Sequence, residues 1–319
     1  MDPASHVLFG GTLAIATRRP RAAGLAATFI LGSLAPDIDI LLTTTGFDRY
    51  LQAHVSGTHA LLASVVEALV LAAAMRGLFR NSRFVPLYVA AWLGAMGHIF
   101  WDLADSSDLA IFAPFSTRIY GWHLVAMWEP VVLVVMATAL VIAWRRPVRA
   151  RMAAVAALLA LAVILGAKAV SKMAARRFYE QAVAADSSAA SARYVPVLSR
   201  LFEWTVYDRS GDRVRAWRVN SLEARVSLAF ERQDAPPTGA VLASKRLPVV
   251  QRFLSLEGLP FVRVERNGNA LVVLWSDARM CSATGCTISF GGAFDEGMTP
   301  LYQVIQIGGI RQVRAISRN

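Results

Sequence analysis

Cysteine is nearly absent: two in 319 residues, too few for a disulfide scaffold or for a Cys-rich zinc or iron–sulfur site. Charge is scarce as well. Asp, Glu, Lys and Arg make up 17% of the chain, against about 25% in soluble domains, while hydrophobic residues reach 55%. That imbalance excludes a disordered chain and argues against a purely cytosolic enzyme. Histidine is missing beyond residue 123, so a metal site or general base built on imidazole has to lie before it. The later region also has no Gly-rich phosphate loop and no nucleophile elbow, since its glycines at 291–297 lack a strand–turn–helix context. No internal repeat is present, and the length allows about two domains.

What the chain does have is long apolar runs. Residues 59–79, 84–104, 122–144 and 152–170 are each long enough, at about 1.5 Å per residue, to span a bilayer core of about 30 Å. Two shorter segments, 6–17 and 22–42, precede them and read as a helical hairpin, the second interrupted by Pro36-Asp37-Ile38-Asp39. Such a break is tolerated at membrane depth where it is buried in protein or lines a cavity. The N-terminal run carries Asp2 and no preceding Lys or Arg, which argues against a cleaved signal peptide. Loops 18–21, 76–83 and 145–151 hold ten arginines, whereas loops 43–58 and 105–121 hold two, Arg49 and Arg118. This bias orients six membrane segments with both ends outside the cytoplasm. The last segment is flanked by Lys168, Lys172, Arg176 and Arg177; if it does not cross, the C-terminal part is cytoplasmic.

The composition changes near residue 171. The expected fold class is an α-helical integral membrane domain of about five to six membrane helices over 1–170. A helical and Ala/Ser-rich linker follows over 171–196, including Asp186 to Ser191, and then a small mostly-β (α+β) soluble domain over 197–319. Strand-like runs lie at 203–208, 213–219, 224–231, 260–266 and 270–276, the last two joined by the hairpin signal Asn267-Gly268-Asn269. Residues 247–257 read as one short amphipathic helix. Cys281 and Cys286 are spaced for a loop-closing disulfide, which needs an oxidising compartment, or are two free thiols.

All five histidines, His6, His54, His59, His98 and His123, fall near the outer ends of their segments in this topology, as do Asp37, Asp39, Asp102, Asp105 and Asp108. His98 and Asp102 are one helical turn apart on one face, suited either to an internal hydrogen bond or to holding a metal ion. His54 and His59 add imidazoles, with Thr58 a plausible N-cap of the following helix. Asp37 and Asp39 add carboxylates, as ligands or as helix caps, and His6 completes the set. His123, beside Trp122, reads as interfacial. Nitrogen and oxygen donors without thiolate suit Zn²⁺, then Mn²⁺ or Fe²⁺. Ionisable groups in membrane segments are costly and by default functional candidates. Glu67, eight residues after His59, reads as a general base, a supporting carboxylate or the partner of a buried polar group. Glu129 precedes Pro130, expected to bend a helix there.

In this order and spacing the residues resemble the YdjM-type family of membrane-bound metal-dependent hydrolases. The shared features are Ser5-His6-Val7-Leu8-Phe9, Pro36-Asp37-Ile38-Asp39, the His54 to His59 element, and Gly97-His98-Ile99-Phe100-Trp101-Asp102, covering roughly residues 1–145. The family commonly has His-Arg-Gly before Thr-His, where this chain has His54-Val55-Ser56-Gly57. If that arginine binds an anionic substrate group, Arg49 or Arg118 would replace it, with His123 as a further substrate contact. A looser likeness, to zinc-dependent phospholipases C, bears on reaction class alone.

The resemblance implies a divalent metal held by His6, Asp37, Asp39, His54, His59, His98 and Asp102, with Glu67 and Asp39 as candidate catalytic carboxylates. The implied reaction is attack of a metal-activated water on an ester or phosphoester, of a lipid or lipid-linked substrate, at the outer face of the bacterial inner membrane. Two rivals stand beside it: a non-hydrolytic metal transporter or scaffold with Glu67 and Glu129 along an ion path, and a C-terminal binding module on a membrane anchor. Nucleic-acid binding is not expected. Of the net charge of +11, the ten loop arginines carry +10, the rest of 1–170 carries −6 and the C-terminal part +7. The side bearing the histidines is therefore acidic and suited to a cation.

Overall fold

The computed structural model describes residues 2–17, 24–105, 107–183, 192–256 and 258–315. Arg18, Arg19 and Arg21 of the first basic loop, and the Ala/Ser stretch 186–191, lie outside the described residues. The chain divides into two compact units, Met1–Thr44, Tyr50–Met173 and Pro196–Phe202 in the first, and Thr45–Arg49, Ala174–Val195 and Glu203–Asn319 in the second.

The first unit is helical. Its elements are α1 (Pro3–Ala16), α2 (Leu25–Gly32), a 3-10 helix (Ala35–Thr44), most of α3 (Phe47–Ala53), a π turn (His54–Thr58), α4 (Leu61–Leu78), α5 (Phe84–Ala104), α6 (Pro130–Arg145) and the first two thirds of α7 (Ala150–Ala182). Among the described residues, three helical stretches are long and apolar enough to cross a bilayer, Leu61–Leu78, Phe84–Ala104 and Pro147–Ala182. A fourth is added if α2 and the 3-10 helix, bent by 49°, count as one span. This corrects the expected five to six. α1 has 14 residues and α6 has 16, so at about 1.5 Å per residue they reach only about 21–24 Å.

α6 is short because Pro130 opens it. The ring occupies the first helical position, where the missing N–H would have no partner, and Glu129 is the N-cap rather than an interior residue before a bend. A second correction concerns Thr58. α4 starts at Leu61, its N-cap is Ala60, and no side chain caps it. The apolar run from 152 and the basic stretch from 171, expected to be helical, lie in one continuous helix, α7.

The second unit is built on two antiparallel sheets. The four-stranded sheet runs β1 (Arg193–Pro196), β2 (Glu203–Ser210), β3 (Arg213–Asn220) and β4 (Arg225–Gln233). The five-stranded sheet runs β5 (Pro260–Asn267), β6 (Ala270–Asp277), β7 (Ile288–Phe294), β8 (Pro300–Ile307) and β9 (Ile310–Arg314), both in sequential order. α9 (Pro248–Leu254) is the single short helix expected over 247–257, and α8 (Gly239–Ser244) is a further short helix before it, beyond that expectation. β7 is buried along nearly its whole length, so it reads as a continuous apolar run without the alternation that marks a half-buried strand. The last turns of α7 lie on the first sheet, with Ala175, Tyr179 and Val183 against Trp204, Val206 and Val219. Buried Asp208 fixes them: it accepts from the Tyr179 hydroxyl, the Arg215 guanidinium and the Trp217 indole. Cys281 and Cys286 are disulfide-bonded within a core formed by both sheets.

Candidate metal centre

Each donor is set by local structure. Asp2 N-caps α1 and accepts from the Ser5 N–H (3.0 Å) and hydroxyl (2.6 Å), with Pro3 in the first turn; His6 sits one residue further on. Asp37 and Asp39 ride on the 3-10 helix after Pro36, while the intervening Ile38 and the following Ile40 and Leu41 face outward. His59 follows the π turn. His98 and Asp102 share a face of α5 one turn apart. α2 and α5 approach at backbone distance: a Cβ on Gly32 would stand 2.4 Å from the Ala91 carbonyl oxygen, and one on Gly94 2.5 Å from that of Phe29. This approach brings the Ser33 carbonyl to His98.

The ring tautomers follow from the partners. His98 Nδ1 is 2.8 Å from the Ser33 carbonyl oxygen, which can only accept, so Nδ1 carries the hydrogen. Thr58 Oγ1 donates to Asp39 Oδ2 at 2.6 Å, which commits its hydrogen, so the 3.0 Å contact with His59 Nδ1 has the ring N–H donating. In the neutral rings both Nε2 atoms then present lone pairs, and they face each other at 2.9 Å. Asp102 Oδ2 is 3.1 Å from each of them. Asp37 Oδ1 lies 3.5 Å from His98 Nε2 and 3.7 Å from His59 Nε2, and His6 Nε2 lies 3.4 Å from Asp102 Oδ1. The His6 ring is stacked on His98 at 3.6 Å, and neither of its nitrogens makes a hydrogen bond.

Lone pairs and carboxylates gathered this closely repel unless a cation lies among them. Ligands held about 2.1 Å from a metal ion stand roughly 3.0–3.5 Å apart, matching these separations. Among the described residues three groups have such geometry: His6, His98 and Asp102; Asp37, His59 and His98; and Asp39, His54 and His59. The residues therefore fit a divalent ion. The third group differs from the others, because His59 Nδ1 is committed to Thr58. Asp39, also 3.1 Å from His54 Nδ1, is thus placed to orient His59 from behind, as carboxylates behind metal-bound imidazoles commonly do. Asp37, 22% exposed, is the member of the main cluster that reaches the surface; the side chains of His6, His59, His98 and Asp102 are fully enclosed.

The other expected residues lie elsewhere. Glu67 is half-buried on α4, with Oε2 lacking a hydrogen bond, and within electrostatic range of His98 and Asp39. Arg118 is exposed over the Tyr120 ring, and His123 pairs with Asp108 at 3.1 Å. Arg49 is exposed and belongs to the second unit. Two participants escape sequence reasoning: the Thr58 hydroxyl, which a helix cap would explain equally well, and the Ser33 carbonyl, a backbone atom with no side-chain signature.

No solved structure matches the chain significantly. The uncharacterized protein YfhP of Bacillus subtilis (strain 168) is 25% identical over 142 residues, which is 42% of this chain and 43% of YfhP; the chain thus spans less than half the length of this relative. The model of the YdjM inner membrane protein family matches residues 1–174, the stretch that carries every histidine, the three groups of donors and the apolar helices. On that match, the chain belongs to the YdjM inner membrane protein family.

Proposed function

We propose that this chain is a membrane-embedded metal-dependent hydrolase that cleaves an ester or phosphoester of a lipid or lipid-linked substrate at the outer surface of the inner membrane. The observation that carries this reading is the convergence of His59 Nε2, His98 Nε2 and Asp102 Oδ2 within 3.1 Å of one another, with both Nδ1 atoms committed elsewhere. His59, His98 and Asp102 would hold the ion, with His6 and Asp37 completing the set; Zn²⁺ fits the donors best, then Mn²⁺ or Fe²⁺. Bound there, a divalent ion supplies Lewis acidity, which acidifies water and offsets charge developing on an ester oxygen.

The chain's own residues do the rest. Asp39 and Thr58 lock the His59 ring, and the Ser33 carbonyl locks His98. Enclosure of four donors excludes bulk water, leaving the Asp37 side as the approach for substrate. Glu67, whose Oε2 makes no hydrogen bond, is the carboxylate available to carry a proton. Outer placement of the centre and of the sheet unit is supported by the arginine bias and by the Cys281–Cys286 bond, since disulfides persist in oxidising compartments. A transport path through Glu129 is disfavoured, because that carboxylate stands 3.9 Å from Lys168.

Detergent-purified protein is expected to bind divalent metal, and the His98→Ala plus Asp102→Ala variant to lose it. The loaded protein is expected to hydrolyse a phospholipid or lipid phosphate. Unchanged metal content in the variant would remove the centre; metal without turnover on any such lipid would remove the substrate.

A further inference from the structure

One turn of α7 holds two stretches of backbone far apart in sequence. Lys172 Nζ donates to the Trp122 carbonyl at 2.7 Å. Lys168 Nζ donates to the Arg200 carbonyl at 2.7 Å and stands 3.9 Å from Glu129, and Ser171 donates to the Leu201 carbonyl at 2.9 Å. Positions 168, 171 and 172 share one helix face, and residues 196–202 belong to the first unit. Both stretches leave large apolar side chains uncovered: Trp122 and Trp128 on one, Leu198, Leu201 and Phe202 on the other. The Trp122 ring meets that of Phe100 on α5, itself partly exposed, at 5.3 Å. The uncovered surface is thus continuous with the apolar exterior of a membrane span.

Depth along α7 identifies what covers it. From Arg151, in the arginine-rich loop, to Lys168 and Lys172 the helix rises about 26–32 Å, one bilayer hydrocarbon thickness of about 30 Å. Tryptophan concentrates at that level, where one end of the ring is apolar and the other polar. Lysine stems lie along apolar surface while their ammonium groups reach the interface, and exposed Arg200 supplies a positive charge for head-group phosphate. The metal centre shares this level: the Trp122 and Leu124 N–H groups donate to the Leu103 and Ala104 carbonyls, directly after Asp102.

We infer that residues 122–128 and 196–202 form an interfacial collar, seated among the lipid head groups of the leaflet opposite the arginine loops and bordering the His/Asp centre. The partner is the bilayer surface itself. The collar depends on neither hydrolysis nor metal binding, so it stands or falls apart from the proposed activity.

The test places a nitroxide on Leu198→Cys or Phe202→Cys in the full chain, reconstituted in nanodiscs of phosphatidylethanolamine and phosphatidylglycerol; the native cysteines are bonded to each other and do not label. Val163→Cys, exposed midway along α7, reports the hydrocarbon core, and Arg213→Cys, exposed on β3, reports water. Relative accessibility to oxygen over a nickel chelate is expected to be severalfold higher at both collar positions than at Arg213→Cys, and lower than at Val163→Cys. A ratio equal to that of Arg213→Cys would put the segment in water, and one equal to that of Val163→Cys in the core. Loss of access to both reagents with spin–spin broadening would mean a second copy covers it. Each of these three results overturns the collar. Both labelled positions are on the surface, and either alone decides the question.

Discussion

His59 and His98 point the same ring nitrogen at each other because each has its other nitrogen taken, one by a threonine hydroxyl and one by a main-chain carbonyl. Removing the Thr58 hydroxyl should therefore act on the metal rather than on the fold. Thr58→Val is expected to weaken metal binding about 10–100-fold, the usual cost of losing a partner behind a ligand, whereas Thr58→Ser retains affinity. Competitive titration with a chelator measures this, and an unchanged affinity in the valine variant would dissociate Thr58 from the centre. Glu67 makes a separate case. Glu67→Gln should leave metal content intact and lower turnover if the carboxylate moves a proton, so turnover equal to wild type would relieve it of that role.

Among the elements, the crossing of α2 and α5 bears most directly on the centre. Gly32 and Gly94 face backbone atoms across it, and a Cβ at either position would approach a carbonyl oxygen within 2.5 Å, closer than side-chain contacts allow. Gly94→Val should force the helices apart, cost about 1–3 kcal/mol and move the Ser33 carbonyl away from His98. Lower thermal stability together with lost metal affinity is the expected pair of results, and a stable variant with full affinity would contradict the close packing. Pro130 is the opposite case. At the first position of α6 it breaks no hydrogen bond, so Pro130→Ala should change the melting temperature little. A large change would restore the interior, bending role that the sequence suggested for it.

In the molecule as a whole, the two units respond to different conditions. In the second, buried Asp48 accepts from Arg252 at 2.6 Å and Arg314 at 2.8 Å. Burial alone would raise this carboxyl, but the Arg252 hydrogen bond and the two guanidinium charges outweigh it and hold Asp48 below its usual range. A depressed folded pKa stabilises at pH values above the unfolded value of about 3.9, and that contribution disappears as the pH falls through the folded pKa. The sheet unit should accordingly lose stability below about pH 4. Asp48→Ala should be less stable at pH 7, by about 3 kcal/mol given partly exposed arginines, and show a flatter acid limb. Thermal melts of the full chain followed by near-ultraviolet circular dichroism at pH 7 and pH 3.5 test both; parallel acid limbs would remove Asp48 as the cause.

The helical membrane part, the sheet-rich part and the types of donor were legible in the sequence, because apolar run length, strand alternation and His/Asp spacing are local properties. β2 to β6 could be read from the sequence, whereas β7 and β8 could not: burial on both faces erases the period in β7, whose middle holds Gly291 and Gly292, and β8 opens on Pro300. The number of spans was overread for a related reason. Hydropathy measures how long a run stays apolar, and it does not register where Pro130 permits the helix to begin. Tertiary structure alone decided which nitrogen of each imidazole faces the centre, since that depends on a hydroxyl from the π turn and on the Ser33 carbonyl just past the end of α2. It also decided that Asp39 stands behind His59 while Asp102 stands in front. Those choices are made by backbone approach at glycine and by hydrogen-bond direction, neither of which leaves a periodic trace in a sequence.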